Sequence, residues 1–345
     1  MQNDGLTRSP HCLSLIAGIA LMVVALGFAF FPNIAEAVPD MYVANYNNNT
    51  ISRADLDGSN PVDLGNPGGF LSGLVGIALD VTGGKMYVAN YTGSTITCAD
   101  IDGSNPVNVT PADFLNGPQG IALDVTAGRM YVTNYTGSTI TCADLDGSNP
   151  VDLGNPGGLL NGPVGIALDV TGNKMYVANY TGSTITCADL DGSNPVNVTP
   201  AGFLNGPQGI ALDVTAGRMY VANGTDNTIT CADIDGSNPV NLLGALLDAP
   251  IGIALDVSGS RMYVVNGATG TIVHADLDGS NPMDLGNLGG FLNAPFGIAL
   301  DLRVPQPATV PTLSEWGMII LSLLMAGSAI LIIRRKKPVT PNPVG

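Results

Sequence analysis

The chain has 345 residues and a formal net charge of −16, with only 12% charged residues and just two glutamates, Glu36 and Glu315, beside its many aspartates. No basic stripe exists to neutralise phosphates, which excludes nucleic acid as a partner. With 45 Gly and 24 Pro breaking up runs of Val, Ile, Thr and Tyr, the composition is that of an all-β protein with many tight turns, long enough for one large domain.

Residues 1–37 have the layout of an export signal. A polar start containing Arg8 precedes an apolar run from Leu13 to Phe31, Pro32 breaks the helix, and Ala35-Glu36-Ala37 offers a small-x-small cleavage site. Cleavage after Ala37 is expected. The apolar run is longer than a usual signal core, so an uncleaved anchor is the alternative.

From residue 38 to 304 the sequence repeats itself. Met-Tyr-Val begins at Met41, Met86, Met130, Met175, Met219 and Met262, so successive copies are 43 to 45 residues apart. Asp-Gly-Ser-Asn-Pro and Gly-Ile-Ala-Leu-Asp recur with the same period. That spacing fits a four-stranded propeller blade, and Gly or Pro breaks within each unit exclude paired helices. One unit predicts strands at 76–80, 86–90, 95–100 and 106–109. The array opens on a second strand (Met41) and ends on an inner strand (Gly297 to Leu302). Pairing the two closes the ring, leaves no open edge and gives a six-bladed β-propeller.

These phrases resemble the YWTD, NHL and YVTN group of propeller repeats, and Tyr131-Val132-Thr133-Asn134 spells the last signature. The resemblance covers the repeat array and implies the fold. YWTD repeats carry Asp where this chain has Asn90, so the bond made by that residue must be made differently here. Members of the group bind proteins, build surface layers, or act as lactonases and hydrolases, so the likeness does not choose a function.

Candidate chemistry is repetitive as well. The inner strands end in Asp80, Asp124, Asp169, Asp213, Asp256 and Asp301. These six carboxylates either ring one mouth of the channel around a cation or cap the turns that follow. The Asp-x-Asp-Gly-Ser-Asn loops have acids at alternate positions but lack the Glu that completes a calcium hand. A structural turn accounts for them, with weak Ca²⁺ binding left open and no other cofactor expected. Cys98, Cys142, Cys187 and Cys231 occupy one strand position on successive blades, too far apart to bridge, and should be separate buried thiols. His274 is the lone histidine of the array, which also contains no Glu, a poor inventory for an enzyme. After each second strand stand Tyr91-Thr92, Tyr135-Thr136 and Tyr180-Thr181, either contact residues or plain turns.

The tail, 305–345, carries Val310-Pro311-Thr312-Leu313 before Trp316-Gly317, an apolar stretch at 316–333 long enough to span a bilayer, and the basic cluster 334–337. That cluster should stay in the cytoplasm, leaving the propeller outside. The order of elements resembles the IPTL-CTERM sorting domain of Gram-negative bacteria, with Val310 for the usual Ile. The resemblance implies a dedicated sorting enzyme, an inner-membrane-anchored intermediate and delivery to the cell surface or beyond. A plain single-pass anchor is the alternative. The sequence as a whole reads as an exported binding or structural scaffold, with a surface protein or carbohydrate as partner. A metal-dependent lactonase or hydrolase in the same fold is the rival.

Overall fold

In the computed structural model, which describes residues 39–303 apart from 112, 113 and 201, each repeat forms a four-stranded antiparallel sheet, and six such sheets make the propeller. The expected signal (1–37), spanning helix (316–333) and basic cluster (334–337) lie outside the described residues.

Blade two sets the pattern. Leu74–Asp80 is innermost, followed by Lys85–Asn90, Thr95–Asp100 and the outer Val107–Asn108. The inner strand begins earlier than its Gly-Ile-Ala-Leu-Asp phrase because a bulge lies within it. Leu74 pairs with Asn90 and Ile77 with Val88, so the inner strand carries one residue more than its partner over that stretch. The outer strand is shorter than expected, as Pro106 has no N–H to donate to a ladder. Blade one is composite: Asp40–Asn45 pairs with Thr50–Asp55 on one side and with Pro295–Asp301 on the other. The ring closes through both ends of the array, as the phase of the repeats requires.

The second strands read as continuous apolar runs because both of their faces are covered. Met86 and Val88 pack back onto Tyr42, Ala44 and Ile51 of blade one, while Tyr87 and Ala89 pack forward onto Ile121, Met130 and Val132 of blade three. The same division recurs at every junction, including the closing one, where Tyr263 and Val265 meet Met41 and Val43. The core is therefore six wedges between blades. Each wedge depends on side chains of two repeats, so a repeat by itself cannot cover its own apolar faces.

The inner strands crowd the axis around a channel of about 90 Å³. Gly76, Gly120, Gly165, Gly209, Gly252 and Gly297 stand where each strand meets the next, and a Cβ at any of them would run into a backbone carbonyl of the neighbouring blade. For Gly165 that carbonyl belongs to Gln208. Backbone has little room to yield, so Gly165→Ala should lower stability by about 1–3 kcal/mol, read as a shift in urea midpoint. An unshifted midpoint would show that the blades slide apart freely.

Candidate functional site

Strand direction sorts the loops into two ends. Turns joining second to third strands, and connections entering each inner strand, lie at one end; turns joining first to second and third to outer strands lie at the other. All the tyrosine–threonine pairs fall at the first end. The inner-strand aspartates and the Asp-Gly-Ser-Asn loops fall at the second.

At the tyrosine end, Tyr91, Tyr135 and Tyr180 each open a tight turn whose fourth residue, Ser94, Ser138 or Ser183, has a left-handed φ near 50°. The Tyr91 N–H donates to the Gly73 carbonyl at 2.9 Å, and Tyr135 and Tyr180 repeat the bond to Gly117 and Gly162. Their rings lean over the entry to the next blade: Tyr91 lies against Gly117, Tyr135 against Gly162 and Tyr180 against Gly206. Tyr180 remains 40% exposed, Tyr91 and Tyr135 are half-buried, and Thr92, Thr136 and Thr181 are exposed. These six residues share one end but do not converge on a point. Each pair serves its own junction while keeping a hydroxyl-rich surface.

At the acidic end, the inner-strand carboxylates bond to their own turns. Asp80 Oδ1 accepts from the Gly83 N–H at 2.7 Å, Asp124 from Ala127 at 2.9 Å, Asp169 from Gly172 at 2.7 Å and Asp213 from Ala216 at 2.9 Å. Asp256 accepts from Gly259 N–H and Ser258 Oγ, both at 2.7 Å, and Asp301 from the Arg303 N–H and guanidinium. The Asp-Gly-Ser-Asn loops are Asx turns: Asp102 Oδ1 takes the Ser104 N–H at 2.9 Å, and Asp100 Oδ2 takes Asn105 Nδ2 at 2.7 Å. Hydrogen bonds from Lys85, Asn105 and Ser104 hold the Asp100 carboxyl down at about 2, and Ser104 lowers Asp102. Among the described residues no three His, Cys, Asp or Glu side chains gather as a metal cluster would.

One rung departs from the pattern. In blade two the rung Asp80–Lys85–Asp100 alternates acid, base and acid, and Lys85 bridges to Asp100. In blade one the same rung is Asp301–Asp40–Asp55. Arg303 pairs with Asp301, and Arg53 stands 3.8 Å from Asp40. Burial pushes the Asp40 carboxyl up; Arg53 opposes the shift, and Asp55 and Asp301 add to it. The signal was present in the sequence as an Asp at the Lys/Arg position before Met41.

The buried polar groups serve structure. Asn90 replaces the Asp of YWTD repeats by using both halves of its amide. Nδ2 donates to Thr95 Oγ1 at 3.1 Å and Thr97 Oγ1 at 2.8 Å, while Oδ1 accepts the Ser72 N–H at 3.1 Å. Thr133, the threonine of the Tyr-Val-Thr-Asn copy, takes the Gly120 N–H at 2.8 Å and donates to the Val164 carbonyl at 2.7 Å, stitching blade three to blade four. The four cysteines of the propeller, Cys98, Cys142, Cys187 and Cys231, are free and buried. Burial raises the Cys98, Cys142 and Cys187 thiols, against hydrogen bonds from Tyr87, Tyr131 and Tyr176 that lower them, so these thiols stay protonated and inert at neutral pH. His274 is lowered by burial and then by Arg261, and its Nδ1 has no hydrogen-bond partner among the described residues. The acid–Nδ1 bond that orients a triad histidine is missing.

Beyond the propeller, the sequence runs from Arg303 into Val310-Pro311-Thr312-Leu313, Trp316-Gly317, an apolar stretch and four consecutive bases. Residues 308–335 match the IPTL-CTERM motif. The IPTL-CTERM match thus takes in the Trp-Gly pair, the whole apolar stretch and the first two bases, and Val310 stands for the usual Ile within it. No curated protein matches the chain. Among solved structures, the chain is similar to one from a nidogen/laminin complex, with a TM-score of 0.67 and 22% identity over 76% of this chain and 98% of that one. It is more distantly similar to virginiamycin B lyase from Staphylococcus aureus (TM-score 0.47, 14% identity, 61% of this chain and 69% of that chain). A streptogramin B lyase has a TM-score of 0.49 and 16% identity over 62% of this chain and 69% of that one. At these identities the likeness is one of fold.

Proposed function

We propose that this protein is an exported propeller scaffold, delivered to the cell surface of a Gram-negative bacterium through its IPTL-CTERM segment, and that its tyrosine end contacts a surface protein or carbohydrate. The observation that carries the reading is that the candidate groups are engaged in the turns and junctions of their own blades, so near-identical blades offer the same contacts around one axis. An active site needs different groups brought to one point. Repeated, weak and equivalent contacts instead sum as avidity. The tail supports delivery in two steps: a membrane-held intermediate, then action of a sorting enzyme at the motif.

The test is fractionation of cells producing an epitope-tagged full chain, with Pro311, Thr312 and Leu313 either intact or replaced by alanine. The intact chain should reach the surface or the medium, and the replaced chain should stay with the inner membrane. Equal surface delivery of both would overturn the sorting part of the reading. For contact, Tyr91→Ala, Tyr135→Ala and Tyr180→Ala combined should weaken binding to the parent cell surface by about tenfold or more. Unchanged binding, or turnover of a lactone panel by the metal-loaded chain, would favour other surfaces or the hydrolase reading.

A further inference from the structure

The opposite end of the propeller carries a second surface that the proposed function does not use. Each inner-strand aspartate is followed at once by an aliphatic residue, and these side chains face solvent: Val125, Val170, Val214 and Val257 are 40–43% exposed. Val81 and Leu302 complete the series and are half-buried. Because the six inner strands pack around the channel, these residues stand around its mouth. A valine in a turn has no local reason to be apolar, since turn chemistry asks for Asn, Asp, Gly or Ser. Single exposed aliphatics are ordinary, whereas the same one repeated around an axis and rimmed by polar groups marks a contact surface.

The rim is acidic. Blade two sets Asp80, Asp100 and Asp102 against one base, Lys85, and blades three to six repeat that ratio. The bridge from Lys85 to Asp100 engages that base; Asp80 is buried, whereas the loop carboxylates Asp102 and Asp146 are exposed.

Between blades six and one this end opens into a cleft of about 370 Å³, lined by Asp55, Asp57, Asp256, Arg261 and Tyr263 over Leu56. Asp57 and Asp256 each spend Oδ1 on their own turn and keep Oδ2 without a hydrogen bond among the described residues. The volume suits one long side chain, the lining is net anionic with Asp55, Asp57 and Asp256 against the single base Arg261, and Leu56 gives it an aliphatic part. A lysine or arginine side chain matches all three: its stem covers Leu56 and its head meets the carboxylates.

From these features together we infer that the acidic end is a docking surface for a basic, amphipathic protein segment, whose apolar residues cover the valine ring and one of whose Lys or Arg side chains anchors in the cleft between blades six and one. Charge complementarity speeds encounter, and the buried anchor with the covered valines supplies the affinity.

The test uses the full-length chain and three synthetic helical peptides of equal length: alternating-face Lys/Leu, Lys/Ser and Glu/Leu. Fluorescence anisotropy at physiological salt should show the Lys/Leu peptide bound about tenfold or more tighter than either of the others. Val170→Asp with Val214→Asp should reduce that affinity by about tenfold, and Asp57→Asn with Asp256→Asn should do likewise. The asparagines keep the Oδ1 acceptor of each turn, and the valines are solvent-facing, so an unchanged melting curve confirms that the variants fold. Equal binding of Lys/Leu and Lys/Ser would reduce the surface to bulk charge and overturn the inference, as would valine variants that bind like the parent. The triple tyrosine variant should bind Lys/Leu normally; a matching loss there would place the contact at the other end and overturn it too. Failure here leaves the sorting and tyrosine-end experiments untouched.

Discussion

A chain ending at Asn293 should fail to fold cooperatively, whereas one ending at Arg303 should melt in a single transition. The shorter chain loses Pro295–Asp301, the inner strand of blade one. Its loss strips one ladder from Asp40–Asn45 and removes Ile298 from the wedge that holds Met41, Val43, Tyr263 and Val265. A buried aliphatic side chain is worth about 1.5–3 kcal/mol, and the whole strand contributes several, against a total stability of about 5–15 kcal/mol. The expected signs are a broad or absent melt, dye binding to exposed apolar surface, and association through the bared edge. A synthetic peptide spanning 293–303 should restore the transition when added in excess. A sharp melt within a few degrees of the longer chain would mean that a first blade of three strands suffices.

The second large effect is expected at the asparagine ending each second strand, and the protein contains its own control. Asn179 donates to Thr184 and Thr186 and accepts from the Asn161 N–H, and it is fully buried. Asn223 makes the two donor bonds at 3.1 and 2.8 Å, but its Oδ1 has no partner among the described residues. Each buried group left unpaired costs about 1–3 kcal/mol. Asn179→Ala should therefore destabilise by about 3–5 kcal/mol, and Asn223→Ala by roughly 1 kcal/mol less. Urea titrations of the two variants measure the difference. Equal losses would mean that the carbonyl half of the amide contributes nothing.

The asparagine also shows where sequence reading stops. The period, the phase and the closing of blade one were legible because each rests on a repeated pattern: Met-Tyr-Val at a fixed spacing, and an array that begins and ends within one blade. The separation of the four thiols followed from symmetry alone. The inner-strand bulge was not legible, since Gly76 reads equally as a bulge or as a weak strand residue. It is the approach of the next blade's carbonyl that fixes its role. For Asn90, sequence showed only that the Asp of YWTD repeats was absent; which groups its amide would join depended on the loop entering the same blade. The acid rung of blade one was visible as Asp40 in a column of Lys and Arg. It gained meaning only when Asp301, distant in sequence, became its neighbour. For the candidate sites the limit is different. Repetition makes every blade's residues look important at once, and sequence cannot tell a turn that merely folds from one that also touches a partner.

The composite blade has a consequence for the order in which the protein acquires its shape. Its two halves are separated by nearly the entire array, so the contact between Asp40–Asn45 and Pro295–Asp301 is among the most non-local that the chain can make. Closing so long a loop carries an entropic penalty that local hairpins do not, and such contacts form late. The other five blades each pair strands near in sequence and need not wait. Synthesis delivers the N-terminal strand first and its partner last. Throughout that interval Asp40–Asn45 presents an unpaired edge, and the isologous inner strands of the other blades, all ending in Ile-Ala-Leu-Asp, are plausible wrong partners. Fidelity then rests on the features unique to the seam: Asp40 facing Asp301 with Arg303 beside it, where every other blade would set its Lys or Arg.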